Sequence, residues 1–288
     1  MSKIVYVNKR FSAEVLGVIE AANEIIADFE DAGFDLSLRQ LYYQFVSRGL
    51  IPNTEQSYKR LGSIINDARL AGLIDWERLV DRTRELDVFP AWTSPRDILR
   101  IAAASYRVNP WKDQTTYVEV WVEKQALIDV VKTAVTPFRV PHFACRGYVS
   151  QSEMWTAAQR FIANDDKHCV LVYLGDHDPS GIDMTRDIRE RMELFGADVT
   201  VTRLALTMRQ VMAYDPPPNP AKVTDSRYES YRTKFGEHSW ELDALNPATL
   251  VQLIQKEVKE HIDSAPWEAV MEREEVERKR LVEVAENF

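Results

Sequence analysis

Cysteine is nearly absent. Cys145 and Cys169 are the only two in 288 residues, and they form neither a Cys-x-x-Cys pair nor a disulfide framework. Each lies in an apolar, strand-like run, so the expectation is two buried thiols in a cytoplasmic protein. No apolar run approaches the roughly 20 residues that a membrane-spanning helix needs. The opening stretch MSKIVYVNKRFSAEVLG lacks the apolar core and small-residue cleavage site of a secretory signal, and no membrane partner is expected. Neither GxxxxGK[ST] nor GxGxxG occurs, which argues against ATP hydrolysis by this chain. There is no excess of positive charge either. A net charge of −9 argues against indiscriminate nucleic-acid binding but leaves room for a local basic patch. Internal repeats and low-complexity tracts are also missing.

What is present is an ordinary globular composition, 45% apolar and 28% charged, in a chain long enough for two domains. The first third reads as helices. SAEVLGVIEAANEIIADFEDAG is amphipathic, opened by Ser12 and closed near Gly33. DLSLRQLYYQFVSRGLIPN follows, with Ser37 as N-cap and Gly49 at its stop, and TEQSYKRLGSIINDARLAGLI starts near Thr54 or Ser57 and ends before Gly72. With DWERLVDRTREL, these suit the helical part of a helix-turn-helix or winged-helix module. From Leu36 to Arg107 there are 11 Lys/Arg against 8 Asp/Glu, a weak basic bias. Residues 1–88 are therefore expected to form an N-terminal helical domain. Residues 89–113, with Pro90, Pro95 and Pro110, are expected to be a connector that includes the helical PRDILRIAAASYR.

From residue 114 the rhythm changes. TTYVEVWVE, RVPHFACRG, HCVLVYL and DVTVTRLAL read as strands, each followed by a helical segment. Four such alternations predict an α/β domain with a mostly parallel, Rossmann-like sheet. The stretch from Asp215 to His238 is a long loop, hence functional or mobile. Asn246-Pro247 opens another helix, and the charged helix from Trp267 reads as a solvated or partner-facing arm.

The chemistry concentrates at strand ends. Ligands of open parallel sheets bind at the carboxyl ends of the strands. Glu123 ends YVEVWVE, and Asp176 and Asp178 follow CVLVYLG directly, so all three are expected at one rim. Asp176 and Asp178 are two apart, so in extended backbone both side chains point one way and His177 the other. Three carboxylates converging with no basic residue between them repel one another unless a cation intervenes. Hard oxygen donors suit Mg²⁺, or Mn²⁺ in its place, and the phosphoryl chemistry such ions assist. The plainer alternative is that Asp176 and Asp178 cap the helix from Ile182. Asp183, in the first turn of that helix, reads as structural.

VEKQAL, CRGYVSQSE and LGDHDPSGIDM, in this order, resemble the Toprim domain, in the version found in the topoisomerase VI A subunit and the related meiotic double-strand-break protein. The resemblance covers roughly residues 36–260. It implies that Glu123, Asp176 and Asp178 bind Mg²⁺ and act on double-stranded DNA. The family also carries an upstream winged helix with a nucleophilic tyrosine in an Arg-x-x-Tyr/Phe-Tyr pattern. LRQLYYQF places Tyr43 at the nucleophile and Arg39 four residues before it, on the same helix face. Arg146-Gly147-Tyr148 matches the family's Gly-Tyr turn, and WELDALNP (Trp240 to Pro247) resembles a segment after its sheet. The implied activity is Mg²⁺-dependent DNA cleavage by tyrosine transesterification, with Glu123 assisting proton transfer. It further implies a homodimer, in which one protomer's tyrosine works with its partner's metal site, and a separate ATPase subunit.

Arg48, Lys59, Arg60, Arg69, Lys124 and Arg146 are the candidate DNA contacts, with solvated surface charge as the alternative for those on the helices. Packing is the alternative for Tyr43, and the expected role of Tyr42. Two other functions fit the same residues. One is a hydrolytic nuclease like the nuclease subunit of Wadjet-type plasmid-defence systems, with water as nucleophile. The other is a non-catalytic DNA-binding adaptor whose acids are structural.

Overall fold

Ser37 begins the second helix by a reciprocal cap: its side chain accepts from Gln40 N while Gln40 Oε1 accepts from Ser37 N. That helix, α2 (Leu38–Ser47), stands between α1 (Ala13–Asp31) and α3 (Glu55–Leu70). Thr54, not Ser57, is the N-cap of α3. Gly49 and Gly72 follow α2 and α3 with φ of 68° and 72°, left-handed turns that favour glycine. The apolar faces of the three helices bury Ile25, Phe29, Leu41, Phe45, Leu61 and Ile65 in one core. The structure, a computed structural model, describes residues 3–31, 33, 35–79 and 91–287. Most of the expected segment DWERLVDRTREL, and Phe89 and Pro90 of the expected connector, fall outside these residues.

Four parallel strands follow: β1 (Thr116–Val122), β2 (His142–Ala144), β3 (His168–Leu174) and β4 (Thr200–Ala205). Their order is β2-β1-β3-β4. Both faces of the sheet are covered, which is why β1 and β3 are almost continuously apolar. Val118, Val120, Val122, Val170, Val172 and Leu174 face one core with α5 (Ile128–Val135), α8 (Met208–Tyr214) and α10 (Pro247–Lys259). Trp121, Leu171 and Tyr173 face the other, with α6 (Gln151–Ile162) and α7 (Pro179–Leu194). The result is a three-layer α/β/α arrangement. Glu119 is a buried acid on the second face, and every part of it is engaged: Arg160 Nε and Nη2, Tyr117 Oη and Trp121 Nε1 all donate to it at 2.8–2.9 Å.

Two expectations need correcting. The stretch from Asp215 to His238 is not structureless: a two-stranded antiparallel ribbon, β5 (Asn219–Pro220) with β6 (His238–Ser239), brackets helix α9 (Tyr228–Phe235). The last helix, α11 (Ser264–Glu286), is not a free arm. It lies along α4 (Pro95–Ser105), the helix inside the expected connector. Its Glu274 is buried and accepts from Val108 N at 2.6 Å and from Arg139 Nη2 at 2.7 Å, and Glu286 pairs with Arg100 at 2.9 Å. Among the described residues no helix is long and apolar enough to cross a membrane.

Candidate functional site

In the order β2-β1-β3-β4 the chain turns outward in opposite directions from β1 and β3, which opens a crevice beyond their carboxyl ends. Glu123 lies at the end of β1 and Asp176 just beyond β3, on either side of that crevice. Glu123 Oε2 accepts from Asp176 N at 2.9 Å. Gly175 is required between them: a Cβ there would lie 2.6 Å from Tyr173 Oη and 2.7 Å from Glu123 Oε2. Asp178 is the N-cap of α7 and accepts from Gly181 N at 2.6 Å. A Cβ on Gly181 would meet Asp176 O at 2.3 Å, so the Pro-Ser-Gly turn folds directly against the acidic loop. Asp178 therefore has the capping role set out as the plainer alternative, but its α7 begins at Pro179 rather than Ile182.

The tightest acidic group includes two residues that the sequence reading left without a role. Asp176, Glu241 and Asp243 each offer a carboxylate oxygen, and these lie within 4.8 Å of one another, the one such group among the described residues. The WELDAL segment arrives here through His177. His177 N donates to Trp240 O (2.8 Å) and Trp240 N to His177 O (3.0 Å), zipping the two loops together. Leu242 N then donates to Asp176 Oδ1 at 2.8 Å. Leu242 packs in the sheet core and Ala244 in the core of the three helices. The alternation of this short segment thus sets Glu241 and Asp243 between the two halves of the chain. Two acids two residues apart, as in Asp176-His177-Asp178, were the available signal.

The expectation of an all-acidic rim is also corrected. Lys124 Nζ lies 2.9 Å from Asp176 Oδ2 and 3.0 Å from Asp243 Oδ1, and it pairs with Glu241 as well. Arg39 reaches across from α2, with Nη2 3.2 Å from Glu241 Oε2 and Nε 3.1 Å from Asp243 Oδ2, the latter an ion-pair distance without hydrogen-bond geometry. Arg203 donates to the carbonyls of Gly175 and Gly181 at 2.9 and 2.8 Å and steadies the loop from below. Burial pushes Asp176 well above the usual carboxylate range despite Lys124, and it pushes Glu123 up too. Burial also acts to raise Glu241, but Lys124 and Arg39 outweigh it and hold that carboxyl below its ordinary value. With all groups ionised, five carboxylates against three cations leave two negative charges in a crevice of hard oxygen donors. That donor set fits a divalent cation such as Mg²⁺ or Mn²⁺.

A cleft of about 490 Å³ adjoins this rim, and Arg39, Tyr43, Asp178 and Glu241 all line it. The resemblance implied a tyrosine facing the partner's metal site, whereas here Tyr43 shares a cleft with the acids of its own chain. Tyr43 is 5% exposed, and Arg39 Nη2 donates to its Oη at 3.5 Å. Burial raises the phenol, and the carboxylates of Asp243 and Glu241 raise it further against Arg39 and Lys124. Tyr42 is equally buried and donates from its Oη to Asn53 and Thr54 O, a packing role.

The other candidate contacts are each engaged by a neighbouring group. Arg48 pairs with Asp28 (2.7 Å), Lys59 with Glu55 (2.7 Å) and Arg60 with Glu14 (2.6 Å). Arg69 donates to the carbonyls of Trp76 and Leu79 at 2.7 and 3.0 Å and stacks over the Trp76 ring, so it anchors the chain after α3. Arg146, with φ of 57°, donates to Gln125 at 2.9 Å.

The His177 ring is sealed by Tyr231, Phe235 and Trp240, with Nδ1 2.8 Å from Tyr231 Oη. Burial, then the Arg203 charge, lowers its pKa from 6.5 to about 4. The unfolded chain protonates this ring near 6.5 and the folded one near 4. Its stability contribution is therefore complete above pH 6.5 and is lost as pH falls toward 4, by up to about 3 kcal/mol. Urea unfolding of wild type and His177→Gln at pH 7.5 and 4.5 checks this: the difference between the two proteins should shrink at the lower pH.

No family model matches the chain, and no curated protein matches it.

Proposed function

We propose that this chain is a Mg²⁺-dependent enzyme that cleaves DNA phosphodiesters, its N-terminal helices acting as a winged-helix DNA-binding unit and its α/β half as a Toprim domain. The observation that carries the reading is one crevice at the β1/β3 switch point, where an excess of carboxylates faces a cleft that also holds a tyrosine and an arginine on one helix turn. Asp176, Glu241 and Asp243, whose oxygens lie within 4.8 Å of one another, would hold the metal, with Glu123 and Asp178 of the predicted trio at the rim beside them. When bound there, Mg²⁺ supplies Lewis-acid stabilisation of charge developing on the phosphate. Tyr43 Oη gives its proton to solvent water, attacks phosphorus and displaces a deoxyribose oxygen. The phosphate stays on the tyrosine, and the leaving oxygen takes up a proton, with Glu123 assisting the transfer. Arg39 orients the phenol and carries positive charge toward it. A homodimer on double-stranded DNA, with a separate ATPase subunit for strand passage, belongs to the same proposal.

A second reading makes water the nucleophile at the same metal site. The deep burial and raised pKa of Tyr43 favour it. Incubating supercoiled plasmid with the protein and Mn²⁺ tests both. Nicked or linear product that EDTA prevents is the expected result, and a protease-dependent mobility shift marks the covalent route. No product at any metal concentration overturns the proposal.

A further inference from the structure

We infer that Lys222 is the residue that grips the DNA backbone in this cleft, a phosphate contact opposite Tyr43 and Asp178. The inference rests on the phosphodiester-cleavage reading and adds a substrate-binding residue to it. Arg39 and Lys222 are the two cationic residues lining the cleft. Arg39 is committed to Glu241 and Asp243. Among the described residues the Lys222 ammonium forms no ion pair. Its nearest sequence acid, Asp225, is taken by Arg227, whose Nε and Nη2 donate to it at 2.7 and 2.9 Å. Lys222 is exposed, so its charge is available to a ligand.

Its position is nonetheless fixed. The preceding Ala221 is buried against Tyr228 and Tyr231, and its N–H donates to Glu237 O at 2.8 Å. Asn219, two residues earlier, pairs with Ser239 in the ribbon and accepts from Asn53 of the helical half. Tyr231, from the same excursion, donates to the carbonyl of His177 at 2.9 Å. The excursion is thus bolted both to the acidic loop and to the tyrosine-bearing unit, and Lys222 extends from that frame into the cleft between them. A compact, strongly hydrated ammonium on a flexible stem suits a single phosphate oxygen. Each phosphate contact of this kind contributes close to one unit to the salt dependence of DNA binding.

The test uses the full chain and an end-labelled duplex oligonucleotide, with anisotropy read in EDTA across a KCl series and steady-state cleavage read in Mn²⁺. Lys222→Met should weaken binding about tenfold and make the slope of log affinity against log salt shallower by about 1. KM should rise by more than kcat falls, and Lys222→Arg should recover both affinity and slope. Mn²⁺ affinity by calorimetry should be equal in all three proteins, which separates phosphate contact from damage to the acidic rim. If wild type binds and cuts DNA while Lys222→Met keeps the same salt slope and KM, the lysine assignment is wrong and the cleavage reading stands. If wild type neither binds nor cuts, both fail.

Discussion

Asp176→Asn should lower metal-dependent plasmid cleavage by about a thousandfold, the equivalent of about 4 kcal/mol of transition-state stabilisation, and leave the chain folded. Asp176 is the carboxylate shared by the sequence-predicted trio and by the cluster with Glu241 and Asp243, so no other single change removes a donor from both. The fold tolerates the change because the neutral side chain already suits the site. Burial pushes the native carboxyl well above its usual range, which means that the folded protein disfavours its charge. Asparagine keeps an oxygen for Leu242 N, and Lys124 keeps Glu241 and Asp243. In EDTA the variant should melt within a few degrees of wild type or slightly above it, since removing a poorly compensated buried charge is often neutral or favourable. Addition of Mn²⁺ should raise the Tm of wild type and not that of the variant. Calorimetric scans with and without metal, beside the plasmid assay, check both halves. An unchanged metal response in Asp176→Asn removes this carboxylate from the donor set.

That pairing of lost activity with kept stability explains which parts of the molecule were legible in the sequence. Elements whose cause is local could be read directly. Ser37 and Asn246 cap the helices that follow them, and Thr54, one of the two residues offered for α3, caps that helix. The apolar runs of β1 and β3 are near-continuous because both faces of the sheet are covered. Placing Glu123 and Asp176 at one rim followed from the strand ends alone. What could not be read depends on chain segments far apart in sequence. Lys124 and Arg39 enter the acidic cluster from β1's end and from α2, and only the folded arrangement shows that they meet Asp243. Glu241 and Asp243 come to the site because His177 pairs with Trp240, a bridge between residues 63 positions apart. α9 was hidden by the prolines and charges around it. Its burial comes from contacts of Tyr228 and Tyr231 with Ala221, and no amphipathic period announces it.

Tyr43→Phe should abolish the covalent protein–DNA adduct outright and, if the phenol is the nucleophile, reduce strand breakage by about a thousandfold or more. The substitution isolates chemistry from structure. The hydroxyl has one hydrogen-bond partner among the described residues, Arg39 Nη2 at 3.5 Å, while the ring is packed at 5% exposure against Tyr42. Losing so long a bond costs less than about 1 kcal/mol, so the variant should fold and bind metal as wild type does. The electrostatics say what activity requires. Burial raises the phenol, and Asp243 and Glu241 hold it up further. A divalent cation on those same acids would reverse their contribution, so attack by Tyr43 should be strictly metal-dependent. Because the phenolate fraction grows about tenfold per pH unit below the phenol's pKa, adduct yield in Mn²⁺ should climb from pH 7 to pH 9. Quenching with detergent and running wild type and variant with and without protease reads the adduct, and a plasmid gel reads the breaks. A Tyr43→Phe protein that cuts at the wild-type rate without an adduct assigns the attack to water. Since Asp176→Asn should be inactive under either route, the two variants together separate the nucleophile from the metal that activates the phosphate.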